Sequence, residues 1–481
     1  MERFGIMDKI VIGVASTRRD VFDVGEAIRY KDIVLDEIRK YNGVNIVDID
    51  DINEEGLLFD ESDLDSIEKK FRAANIDGII LLHCNFGTEF LVGKLAKRLG
   101  KPVLLWGPRD DEPKEDGTRS RDTQCGLFAS GKVLRRLNVP FSYIPNCRIT
   151  DVEFVNGFTN FLAVCSIIKA FRKTKILQIS TRPAAFWTMM INEGELLEKF
   201  GIQIVPISLT EMLLGMEDII SENGEEYVKT VTKLNSMDCS ELEGTDGVAK
   251  IAAIKVFIRK TALEYGCSAV CLQCWSALQD AIDIMPCAAN GMLADEFLPT
   301  MCETDIHGCI SSIMLQAALR YTTPVFFADL TIRHPSNDNA ELLWHCGNFP
   351  SSCARNSNDV CISRNFVLES KSPGICNFEL KHDNITICRF DGDNGEYSLF
   401  IGEGKATDGP VTSGTYVWFE VPDWKKWEYM LVMGPYVHHV AGAFGNASLA
   451  LYESCKYIPG LKADPADPTR DELNRKISHF N

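Results

Sequence analysis

Glu303, Thr304 and Asp305 stand directly ahead of a run in which Ile306, Ile310, Ile313, Met314 and Ala317 share one face of a 3.6-residue period. Both acids therefore fall at the start of an amphipathic helix. An acid there is ordinarily a cap whose charge compensates the helix dipole. Its other use is to aim a carboxylate into the crevice at the carboxyl end of a strand, where open α/β sheets hold ligands. A second acid, Asp329, ends the apolar run Pro324-Val325-Phe326-Phe327-Ala328, which reads as a buried strand. Alone, Asp329 is explained as a turn former. Two carboxylates at the edge of one sheet are the raw material for holding a hard cation and for acid–base work.

Of the eight histidines, His438 and His439 are adjacent, in Gly434-Pro435-Tyr436-Val437-His438-His439-Val440. In extended chain neighbouring side chains point to opposite faces, so one of the two faces a given site. Read structurally, one is buried and hydrogen-bonded and the other solvated. His345, in Trp344-His345-Cys346-Gly347-Asn348-Phe349, fits either role. Two carboxylates with one or two imidazoles suit Mn²⁺, Mg²⁺ or Co²⁺, whereas zinc or copper recruits more His or Cys. Cys271 and Cys274 form a C-x-x-C with no second pair at zinc-ribbon spacing and no helix-opening context of a thioredoxin site, so buried packing is its preferred explanation.

The elements that must position these groups follow from periodicity. Apolar runs at 9–14, 44–49, 78–82 and 102–106 alternate with helical stretches, the first carrying Ala27, Tyr30, Val34 and Ile38 on one face. That alternation means a parallel sheet covered on both faces. After a basic junction at 172–175 the rhythm restarts through 176–179, 202–207, 268–272 and 324–327. Beyond about residue 351, short alternating runs separated by Gly, Asp and Asn indicate antiparallel strands in a small barrel or sandwich. The expected architecture is α/β: two parallel-sheet α/β domains, 1–172 and 173–350, then a β-rich, antiparallel barrel-like C-terminal domain, 351–481. The second domain would carry the acids and the third His439.

The 481 residues, 45% apolar and 25% charged, have the balance of a globular protein of two or three packed units. A net charge of −18 without a basic stripe argues against nucleic acid as a partner. The N-terminal apolar stretch is short and interrupted by acids, so neither export nor membrane insertion is expected. Seventeen scattered cysteines, many in apolar runs, fit a reduced cytoplasm.

The order of Glu303 in Cys-Glu-Thr-Asp, Asp329 in Phe-Phe-Ala-Asp-Leu and His439 in His-His-Val resembles the ligand order of L-fucose isomerase. Residues 183–211 are also similar to that family's second-domain opening. The resemblance implies a metal-dependent aldose–ketose isomerase in which Glu303, Asp329 and His439 hold Mn²⁺, with Mg²⁺ or Co²⁺ as alternatives, and Gln273 contacts the sugar. The His-His pair and the segment His345-Cys346-Gly347-Asn348-Phe349-Pro350 look more like L-arabinose isomerase, which implies His345 as a fourth ligand. His438, with Arg18 and Arg19 near the N-terminus, would then contact sugar hydroxyls. The resemblance implies a homo-oligomer, a hexamer or trimer, whose sites draw on adjacent subunits. Its substrate would be a pentose, a deoxyhexose or a modified hexose.

Such an enzyme moves a proton between C2 and C1 through a cis-enediol, with Glu303 and Asp329 as carriers. The alternative from another class is a non-catalytic sugar-binding or regulatory protein on the same scaffold. A redox enzyme built on Cys271 or Cys274 is a third reading.

Overall fold

The structure is a computed structural model that describes residues 9–364 and 372–478. The described residues divide into two compact units, one formed by residues 9–169 with 471–478 and the other by 170–364 with 372–470.

The first unit holds a parallel sheet of β1 (Ile10–Thr17), β2 (Val44–Val47), β3 (Gly78–His83), β4 (Val103–Trp106) and β5 (Ser142–Tyr143), in the order β2-β1-β3-β4-β5. Ile80 and Leu82 of β3 enter one core with Ile12 and Val14, while Ile79 and Leu81 enter the opposite core with Val103. Burial on both faces is why these strands read as continuous apolar runs. The helix Val152–Arg172 is long and apolar enough to cross a membrane, yet 67% of its apolar window is buried. Phe154, Phe158, Phe161 and Leu162 of this helix pack in the core, which accounts for its composition.

The second unit contains a parallel sheet of β6 (Lys175–Ile179), β7 (Gln203–Ile207), β8 (Ala269–Leu272) and β9 (Thr300–Met301), in the order β7-β6-β8-β9. Its other sheet has nine strands: β10 (Phe326–Arg333), β11 (Ala340–His345), β12 (Cys361–Arg364), β13 (Pro373–Glu379), β14 (Asn384–Asp393), β15 (Glu396–Thr407), β16 (Thr415–Glu420), β17 (His439–Phe444) and β18 (Leu461–Pro465). The order β12-β13-β16-β11-β10-β17-β14-β15-β18 is closed by a further β15–β16 pairing. The ring β16-β11-β10-β17-β14-β15 is thus a six-stranded antiparallel barrel, which removes the exposed edges of a small sheet. β13 and β18 join it as parallel neighbours, so the sheet as a whole is mixed.

The run at 324–327, expected in the second parallel sheet, instead opens β10 of the barrel and pairs antiparallel with β11 and β17. A short apolar run is compatible with either kind of buried strand, because its neighbours rather than its own pattern decide the pairing. Glu303, just past β9, and Asp329, in β10, therefore come from two different sheets.

Glu341 in β11 is 5% exposed, with Oε2 lacking a hydrogen-bond partner among the described residues. Burial, with Glu428 adding to it and Arg333 opposing, pushes its carboxyl up from 4.5 to about 7. The native state holds this proton more tightly than the unfolded chain, so stability is full below pH 4.5 and falls as pH rises through 7. Glu341→Gln is expected to raise stability by about 2 kcal/mol near pH 8 and by almost nothing near pH 4. Urea midpoints at the two pH values measure the difference.

Candidate active site

Glu303 and Thr304 occupy the turn between β9 and the helix Ile306–Ala318, with left-handed φ angles of 61° and 60°. Two successive non-glycine residues in that region store strain that their surroundings must hold, a pattern associated with sites. Asp305 is the helix cap: its Oδ1 accepts the Gly308 amide at 2.8 Å. Capping thus falls to the second acid of the pair, and the first faces the barrel.

Asp329 and His439 are directly opposed across the β10–β17 pair. His439 is fully buried, with Nε2 3.3 Å from Asp329 Oδ1 and 3.4 Å from Glu303 Oε2. Its other nitrogen, Nδ1, lies 2.9 Å from Asp305 Oδ2. Burial alone would raise the Asp305 carboxyl, but the Arg389 guanidinium and the His439 contact hold it far below the usual range. Asp305 is therefore an acceptor and Nδ1 donates, so whenever the ring is neutral its lone pair is on Nε2, facing the two carboxylates.

Behind this contact runs a buried chain of alternating charge. Arg389 Nη1 donates to Asp305, Arg389 Nε donates to Asp391 Oδ2 at 2.8 Å, and His307 Nδ1 lies 2.9 Å from Asp391 Oδ1. Burial would weaken the Arg389 cation, yet Asp305 and Asp391 on either side raise its pKa further.

Neither His439 Nε2 nor Asp329 Oδ1 has a hydrogen-bond partner among the described residues. A lone pair facing two carboxylates needs a proton or a cation between them. Without a cation the ring takes the proton: burial lowers its pKa, but Asp305, Glu303 and Asp329 lift it to about 10. Two carboxylates and an imidazole with a fixed tautomer also suit a divalent ion of the Mn²⁺, Mg²⁺ or Co²⁺ type. The residues present fit such an ion.

His438 also reaches this place. Ligand atoms of Asp329, His438 and His439 lie within 4.8 Å of one another, and the two imidazole centres are 4.4 Å apart. Both histidines of the pair come to one place, against the alternation expected of extended chain, because β17 begins only at His439. His345, at the end of β11, is buried with its ring centre 6.4 Å from that of His439. Gln273 follows β8 and accepts the Ser180 hydroxyl at 2.8 Å through Oε1. Arg18 and Arg19 lie in the other unit. Arg18 is buried, pairs with Asp20 and Glu55 and stacks 3.7 Å from the Phe59 ring centre. Arg19 pairs with Glu89 and lies over Phe86.

Two family models match the chain: Fucose/sulfoquinovose isomerase, N-terminal domain, over residues 13–172, and L-fucose isomerase, C-terminal domain, over residues 343–460. Together they cover more than half of it. The chain belongs to the L-fucose isomerase-like family.

Proteins named sulfoquinovose isomerase from Priestia aryabhattai and Priestia megaterium are each 25% identical to it over 398 residues, 81% of this chain and 85% of theirs. One from Alkalicoccus urumqiensis is 24% identical over 339 residues, 69% of this chain and 73% of its own. Among solved structures, an ABC transporter solute binding protein from Bacillus halodurans C-125 with bound myo-inositol matches at 13% identity, covering 58% of this chain and 80% of its own. The TM-score of that match is 0.17. By family the protein is a sugar isomerase, of the aldose–ketose class.

In this L-fucose isomerase-like protein, sequence reasoning recognised Asp305 only as a cap and missed His307, Arg389 and Asp391. A signal was available: Arg389 and Asp391 are opposite charges two apart in the run 385–391, where period-2 geometry puts both on one face of an otherwise apolar strand. Cys271 and Cys274 of the C-x-x-C are both buried. The Cys302 contact and burial push the Cys274 thiol well above its usual range, the reverse of what a reactive redox thiol needs.

Proposed function

We propose that this protein interconverts an aldose and its ketose at a divalent-metal centre held by Glu303, Asp329 and His439, with Mn²⁺ as the preferred ion and Mg²⁺ or Co²⁺ as substitutes. The observation behind this reading is the His439 ring, whose Nδ1–H is committed to Asp305 while Nε2 faces both acids at 3.3 and 3.4 Å. Bound there, a divalent cation would polarise the sugar oxygens and stabilise negative charge on them. Glu303 and Asp329 carry the proton between C2 and C1 through a cis-enediol. Gln273 and His438 hold sugar hydroxyls.

Relatives named sulfoquinovose isomerase favour a modified hexose over a pentose or a plain deoxyhexose as the substrate. A sugar-binding protein without catalysis has no use for two acids gathered around an imidazole of fixed tautomer, which counts against that alternative. The cytoplasm is the proposed compartment. A homo-oligomer, hexamer or trimer, is the proposed assembly, with Arg18 and Arg19 serving a neighbouring copy; light scattering of the active enzyme checks it.

The test is to strip the protein with a chelator and assay sulfoquinovose, L-fucose and L-arabinose with and without Mn²⁺. Activity is expected to vanish with the metal and return with it. Turnover in D₂O should place deuterium at C1 of the ketose or C2 of the aldose. Full activity after complete metal removal would sink the metal reading, and unlabelled product would replace the proton route with a hydride shift.

A further inference from the structure

His345 Nδ1 accepts the backbone amide of Cys346 at 2.8 Å. An imidazole nitrogen that accepts an N–H uses its lone pair to do so, and in the neutral ring the hydrogen then sits on the other nitrogen. Turning the ring over would set a carbon-bound hydrogen against that amide, so the contact fixes orientation and tautomer together. An Nδ1 that accepts an N–H carries no hydrogen itself, so the ring in this geometry is neutral with its one hydrogen on Nε2.

Nε2–H is thus a donor, buried and without a hydrogen-bond partner among the described residues. A metal ligand must offer a lone pair at that atom, and Nε2 here has none to offer. The ring is held beside the site: the centre of Phe327 is 5.6 Å from that of His345 and 4.9 Å from that of His439. His439 and His345 are therefore complementary. One has Nδ1–H bound to a carboxylate and Nε2 as acceptor; the other has Nδ1 bound to an amide and Nε2 as donor.

We infer that His345 is not a ligand of the metal but a hydrogen-bond donor, through Nε2–H, to an oxygen of the bound sugar. This rests on the isomerase reading above and assigns within it a sugar-contacting residue. The hydrogen bond orients an oxygen and moves no proton. It also discriminates, since a sugar lacking an oxygen at that position would leave a buried donor unpaired.

The experiment compares wild type, His345→Ala, His345→Gln and His439→Ala, each stripped of metal. Binding of Mn²⁺ alone is followed by titration calorimetry and electron paramagnetic resonance, and kinetics by the better of sulfoquinovose and L-fucose. His439→Ala is expected to weaken Mn²⁺ binding by about a hundredfold or more. His345→Ala is expected to leave the Mn²⁺ dissociation constant within about threefold of wild type with an unchanged spectrum, while kcat/KM falls about ten- to a hundredfold. His345→Gln, whose amide nitrogen reaches towards the Nε2 position, should recover part of that loss and guards against a variant that merely folds badly. Loss of Mn²⁺ affinity in both His345 variants comparable to that in His439→Ala would overturn the assignment. Failure of the wild type itself to bind Mn²⁺ would remove the metal reading first, and this one with it.

Discussion

Glu303→Gln and Asp329→Asn are each expected to lower kcat by about 10²–10⁴-fold at saturating Mn²⁺, with a much smaller change in KM. Both substitutions keep shape and hydrogen-bonding capacity while removing the charge and the exchangeable proton. Glu303 is the more constrained of the two. Burial would raise its pKa, but the His439 contact together with His345 and His438 lowers it below the usual carboxylate value. Its backbone is held in the left-handed region, and substitution of the side chain leaves that strain in place without the contact to His439. Asp329 reaches the site from the facing barrel strand, where its Oδ1 has no hydrogen-bond partner among the described residues. Steady-state kinetics over a Mn²⁺ series separates lost metal from lost proton transfer. Near-normal turnover in either variant would place the chemistry on other residues.

Arg389→Leu is expected to cost about 3–5 kcal/mol of stability. Arg389 is 1% exposed and is the cation between Asp305 and Asp391, both themselves buried. Removing it leaves two carboxylates in low dielectric with only imidazoles to compensate them. Replacement by Lys should recover part of the loss, because it restores the charge but not the two-sided fork that meets both acids. The midpoint of urea unfolding reports the effect. Because Asp305 fixes the His439 tautomer, Mn²⁺ affinity should also fall by about tenfold to a hundredfold. Stability unchanged within about 1 kcal/mol would show that the buried chain of charges is dispensable.

Much of the fold could be read from residue order. Strands such as β3, buried on both faces, declare themselves as unbroken apolar runs, and the alternating runs after 384 declare a β-rich end. These signals are local, because burial of a strand on one face or two is written into its own residues. The choice between sheets for the run ending at Asp329 was not local, since an apolar strand carries no mark of its neighbour. For the same reason the acids at 303 and 329 looked like two edges of one sheet, when one stands in a strained turn and the other in a barrel strand.

At the site, sequence by itself determined which residue types were available: two acids, one adjacent pair of histidines and a third histidine in a Gly/Asn segment. Tertiary structure decided what each can do. The lone pair of His439 faces the acids because Asp305, 134 positions away, takes the hydrogen on the other nitrogen. The hydrogen of His345 sits on Nε2 because the next amide occupies its Nδ1. An imidazole has the same composition in both settings, and only the group hydrogen-bonded to its Nδ1 decides whether the neutral ring offers a lone pair or a hydrogen at Nε2. Arg389 was hidden for a related reason: a buried cation is stable only where folding brings acids to both of its sides, and Asp305 lies 84 residues from it.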